Sequence, residues 1–160
     1  MIRIAGIFFW NNKAYLPVIG RTEVDFYWEA GPIFTSDMTI EALSTALDEI
    51  VKVGNPPMRH PTQAEFRKAT SIEKALGMRS WRRMAKAGVI RCVVSWEEGK
   101  IIVAFSPRNA RDVGEIDTEH EKDFPLDTPM CTIAEYVLHE VQMRRKEQGA
   151  SSEPPLPVPQ

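Results

Sequence analysis

Residues 89–107 read VIRCVVSWEEGKIIVAFSP. Two apolar runs of strand length flank Glu97-Glu98-Gly99-Lys100, a turn composition, and Pro107 closes the second run. This is the pattern of a β-hairpin. A sheet joined by such tight connections is antiparallel, because parallel neighbours need a crossover of roughly a dozen residues or more.

Towards the N-terminus, residues 2–9, IRIAGIFF, form another strand-like run that stops at Asn11-Asn12-Lys13, a turn signal, before AYLPVIG resumes to Gly20. A second hairpin is expected there. Pro17 cannot donate to a ladder, so the returning strand should lie at an edge or carry a bulge at that point. In EVDFYWE, residues 23–29, Val24, Phe26 and Trp28 alternate with Glu23, Asp25, Tyr27 and Glu29. The period of two predicts a half-buried strand, ended by Gly31-Pro32.

Helical spacing takes over at Thr39, where Ile40, Leu43, Leu47, Ile50 and Val51 recur at three and four residues until Gly54 and Pro56-Pro57 stop the run. Between His60 and Gly88, two T-x-x-E boxes (Thr62 with Glu65, Thr70 with Glu73) and Ser80 before Trp81 predict short helices broken near Gly77. A further box, Thr132 with Glu135, predicts a closing helix to about Gln148. Residues 108–130 keep no period, although DFPLD fits a short edge strand. The expectation is an α+β domain over residues 1–148: a mainly antiparallel sheet built from hairpins, packed against two longer helices and a block of short ones. Residues 149–160, GASSEPPLPVPQ, have no core pattern and are expected to be a disordered Pro-rich tail.

With 160 residues, 43% of them hydrophobic and 26% charged, the chain is long enough to bury its own core. Cys92 and Cys131 lack CxxC spacing, so neither a disulfide framework nor a zinc site is signalled, and a reducing, cytoplasmic setting is expected. No run approaches the roughly 20 apolar residues of a membrane helix, so no membrane partner is expected. No dinucleotide-binding, Walker A or G-x-S-x-G pattern occurs. Trp10, Trp28, Trp81 and Trp96 read as core or core-edge side chains. His60, His120 and His139 offer acid-base chemistry, yet nothing in their spacing brings them together, and a His-dependent hydrolase is the weakest reading.

The charge layout is the distinctive feature. The net charge of -2 hides two opposed segments. Arg59, Arg67, Lys68, Lys74, Arg79, Arg82, Arg83, Lys86 and Arg91 face only Glu65 and Glu73, whereas Asp112, Glu115, Asp117, Glu119, Glu121, Asp123 and Asp127 face only Lys122. In EIDTEHEKD, residues 115–123, an extended backbone would put the five acids on one side and His120 on the other, which makes an acidic ridge rather than a metal cage. No metal and no cofactor are expected. A carboxylate ridge imitates a nucleic-acid backbone and suits a basic protein partner. Alternatively Arg79, Arg82, Arg83 and Lys86, most of them on one helical face beside Trp81, could contact phosphates.

The stretch GMRSWRRMAKAGVIRCVVSWEEGKIIVAFSPR, residues 77–108, resembles the immunity proteins of bacterial contact-dependent growth inhibition, through Gly77, Arg79, Ser80, Gly99 and Pro107. The likeness extends more loosely to the opening hairpin, the helix from Thr39 and the closing helix. It implies a small cytoplasmic α+β protein, not an enzyme and free of cofactors, that blocks the C-terminal toxin domain of a cell-surface effector, often a nuclease. Toxin-contact residues in that family vary too much to be carried across, so the expected partner site is the seven acids from Asp112 to Asp127.

Overall fold

The computed structural model describes residues 1–151. The strands are β1 (Ile4–Trp10), β2 (Lys13–Thr22), β3 (Tyr27–Asp37), the two-residue β4 (Pro57–Met58), β5 (Ile90–Glu97), β6 (Lys100–Phe105) and β7 (Lys122–Pro125). The helices are α1 (Ile40–Val53), α2 (Gln63–Phe66), α3 (Ser71–Leu76), α4 (Trp81–Lys86) and α5 (Met130–Ser151). The sheet order is β3-β2-β1-β5-β6-β7, every neighbour antiparallel; β4 joins β2 in parallel. The fold is α+β, as the hairpin pattern predicts.

Alternation along the central strands divides the molecule into layers. Ala5, Ile7 and Phe9 of β1 and Ile90, Cys92 and Val94 of β5 face a core closed by Leu43, Leu47 and Ile50 of α1 and Ile133, Val137 and Val141 of α5. Phe8, one residue out of phase, packs instead with Ile72 and Leu76 of α3, Met84 of α4, Met78, Val89 and Val113. The two long helices therefore cover one face of the sheet, and the short-helix block covers part of the other.

Local chemistry fixes these elements. Thr39 caps α1, Thr62 and Thr70 form reciprocal capping boxes with Glu65 and Glu73, and Ser80 caps α4. Gly77 ends α3 in the left-handed region. The bulge expected at Pro17 is present, between Pro17 and Ile19. Close to their turn, β1 and β2 pair over Phe8–Trp10 and Lys13–Tyr15. Farther along, the Asn55 side chain bridges them, donating from Nδ2 to the carbonyls of Ile4 and Ile19 at 2.9 Å each.

Three expectations need correction. The strand predicted at 23–29 starts only at Tyr27 and continues through Gly31-Pro32 to Asp37. Thr22 folds residues 22–26 into a turn by accepting from the Phe26 amide, with Asp25 at φ 59°, and β3 tolerates Pro32 because it is the sheet's edge. The Thr132–Glu135 box is not the helix start, since α5 begins at Met130 and the Thr132 amide already donates to the Pro129 carbonyl. At its other end α5 runs through Gly149 to Ser151, beyond the expected stop near Gln148. The remainder of the proposed Pro-rich tail, 152–160, lies outside the described residues. Among the described residues no helix is long and apolar enough to cross a membrane.

Candidate functional site

Between β6 and α5 the chain forms a connector, 106–129, whose only regular element is β7. The ridge expected over 115–123 does not form as one extended run, because the segment turns at 118–120 before entering β7. Its own acids do the turning. Asp112 Oδ1 accepts from the Gly114 amide at 2.8 Å and Asp117 Oδ1 from the Glu119 amide at 3.1 Å, so each short carboxylate folds the backbone two residues ahead of it. Glu115 accepts from the Arg111 amide at 3.1 Å. His120 Nδ1 lies 2.7 Å from Asp117 Oδ2, and this contact holds the Asp117 carboxyl below the usual range.

Two arginines fasten the root of the connector. Arg91, on β5, donates from Nη1 to the carbonyls of Val113 (3.3 Å) and Gly114 (3.4 Å), and its guanidinium lies over the rings of Trp81 (5.0 Å) and Phe8 (5.7 Å). Arg144, on α5, is only 8% exposed; it donates from Nη1 to the Ser106 carbonyl at 2.6 Å and lies over Phe105. Burial pulls both guanidinium pKa values down. Neither arginine takes a carboxylate as an ion-pair partner among the described residues. They hold the connector by its backbone rather than by its acids. Gly114 completes the joint, since a Cβ there would sit 2.6 Å from the Trp81 ring.

The seven predicted acids thus divide. Asp112, Glu115 and Asp117 are used in local turns. Asp123 pairs with Lys100 across the β6–β7 ladder at 3.0 Å, which raises the lysine pKa. Glu119, Glu121 and Asp127 are exposed, with no ion pair or side-chain hydrogen bond among the described residues. The basic residues Arg79, Arg82, Arg83 and Lys86 are likewise exposed and make no ion pair with the connector. They do not all share a helix, because Arg79 precedes the Ser80 cap of the six-residue α4. Among the described residues, the ion pair between connector and helix joins Arg108 to Glu147.

The histidines occupy different elements. His60 packs edge-on to Phe26 and Phe66, His120 sits on the connector, and His139 is exposed on α5. Among the described residues no three His, Cys, Asp or Glu side chains gather as a metal site would require. Of the tryptophans, Trp81 is a structural platform for the connector, and Trp28 stacks on Phe26 at 5.8 Å. Arg144 went unnoticed in the sequence, where it is one of several basic residues on α5. Arg91 does carry a signal: it is the one basic residue within β5, set between the apolar Ile90 and Cys92.

No protein family and no curated protein matches the chain. Among solved structures it is similar to NMB0488 from Neisseria meningitidis, a protein of unknown function, with a TM-score of 0.60 and 11% identity, covering 89% of this chain and 94% of that one. The likeness is one of fold.

Proposed function

We propose that this protein is an immunity protein of the contact-dependent growth inhibition type, which binds a toxin domain in the cytoplasm and covers basic groups of its active site. A nuclease is the toxin class that fits an acidic inhibitor. The observation that carries the reading is the way the connector is held: its buried arginine fasteners engage carbonyls, so Glu119, Glu121 and Asp127 remain exposed and unpaired. Charge presented on a backbone fixed at its root steers a basic partner and lowers the ordering cost of docking.

The test first asks whether the gene immediately upstream encodes a large secreted protein ending in a toxin-like domain, and then uses that domain. It is expected to co-purify with the full chain, and replacing Glu119, Glu121 and Asp127 together by lysine should weaken binding by more than about tenfold with the circular dichroism unchanged. Raising salt should slow association of the wild type more than that of the variant. Unchanged affinity in the folded triple variant rejects the acidic-connector mechanism.

A second reading rests on the exposed, unpaired Arg79, Arg82, Arg83 and Lys86. It makes the protein a nucleic-acid binder, whose affinity for single-stranded RNA would fall steeply with salt. Absence of binding to labelled RNA at low salt removes it.

A further inference from the structure

Where the connector leaves β6 and meets α5, the chain forms a cavity of about 300 Å³, room for roughly ten waters or one small organic molecule. Its lining includes the apolar Val89, Ile90, Ala110 and Val113 together with Arg108 and Arg144. The exposed acids Glu119, Glu121 and Asp127 take no part in it.

Arg144 sets this cavity apart. It is a cation only 8% exposed, and the groups it meets are the Ser106 carbonyl and the Phe105 ring, neither of which carries a full negative charge. A buried charge without a counter-charge is costly. Its nitrogens differ in what they can offer. Nη1 is spent on Ser106 and Nε is sealed from solvent, so neither is open to a guest. Nη2 has no hydrogen-bond partner among the described residues and is not sealed, and since Arg144 lines the cavity, Nη2 is the donor presented to that space.

A carboxylate stands close by but is used elsewhere. Glu147, three residues along α5 and also in the lining, takes Arg108 Nε as its partner. The Arg108 side chain is 54% exposed, and its two terminal nitrogens make no ion pair among the described residues. Two guanidiniums thus share one carboxylate in the lining, which leaves a positive charge over. Burial first and the charge of Arg108 second lower the Arg144 pKa, against the opposing pull of Glu140 and Glu147.

We propose that this cavity binds a small monocarboxylate with a compact apolar body of about benzoate's size, its carboxylate bridging Arg144 Nη2 and the terminal nitrogens of Arg108 and its body resting against Val89, Ile90, Ala110 and Val113. A planar carboxylate matches guanidinium donors, and the apolar part of the lining favours an acid with a hydrocarbon body over an inorganic anion. The site goes beyond the toxin-binding reading and stands whether or not a toxin partner exists.

The test titrates benzoate into the full chain while the backbone amide shifts are followed by NMR. Benzyl alcohol supplies the ring without the charge, and inorganic phosphate supplies the charge without the ring. Benzoate is expected to give a saturable change concentrated at residues 106–113 and 144–147, with both controls weaker by about tenfold or more. Arg108→Gln, at an exposed position, should weaken benzoate binding about tenfold. Ala110→Leu leaves both arginines in place and only fills the space, so it should abolish the response. Ala85→Leu, from α4, fills the same cavity and serves if Ala110→Leu does not fold. The proposal is overturned by the absence of a saturable response, by either control binding as tightly as benzoate, or by undiminished binding in Arg108→Gln or in a folded cavity-filling variant.

Discussion

Arg91 and Cys92 are neighbours on β5 and face opposite layers. Cys92 enters an apolar core where helices α1 and α5 seal the sheet, and burial pushes its thiol pKa far up. Arg91 enters the layer that holds the connector root and, with Glu29, lines a cavity. One face of the sheet is therefore built for cohesion, and the other spends part of its area on polar groups and open space. A single strand serves both because its side chains alternate.

The largest expected contrast between the faces is in stability. Phe9, fully buried under the long helices, should cost about 3–5 kcal/mol when replaced by alanine, as measured by denaturant unfolding. Ile72, fully buried in the short-helix layer, should cost about 2–3 kcal/mol, because a layer of brief helices can relax into the space left behind. Equal losses would erase the distinction drawn here.

A smaller effect tests the polar character of the second face. Burial raises the Glu29 carboxyl above its ordinary 4.5, with Glu73 adding like charge. Between the unfolded value and the raised one the native state holds the extra proton, so stability falls as pH rises through that window. Glu29→Gln should remove this decline, making the difference between wild-type and variant stability shrink from acid towards neutral pH. Parallel profiles from acid to neutral pH would contradict the burial.

The last contrast leaves stability unchanged. In the native protein Cys131, exposed at the start of α5, should react with iodoacetamide, whereas Cys92 should react only after unfolding. Labelling of both thiols at one rate would mean that the first face opens readily.

Much of this architecture is legible in the sequence. The 89–107 hairpin, the Thr39 cap, both T-x-x-E boxes and the irregularity at Pro17 rest on local rules, and the structure obeys them. The failures arise where local pattern meets tertiary context. Val24, Phe26 and Trp28 alternate like a strand, yet a threonine-held turn claims the first half of that segment and an edge position lets β3 run through a proline. The acids of 115–123 alternate too, but short carboxylates bond their own backbone and bend it. The candidate site was half visible: its acids stood out by composition, whereas Arg144 matters for what surrounds it, and no periodicity carries that information.

The close approach of Gly114 to the Trp81 ring has an engineering consequence. What fastens the loop lies at or before that glycine, apart from the Asp117 amide, which donates to the Phe105 carbonyl at 2.8 Å, and the short ladder of β7, so the stretch between those two can be exchanged almost as a cassette. A library randomised at positions 118–121, on an unaltered scaffold, would be a direct route to inhibitors with new targets.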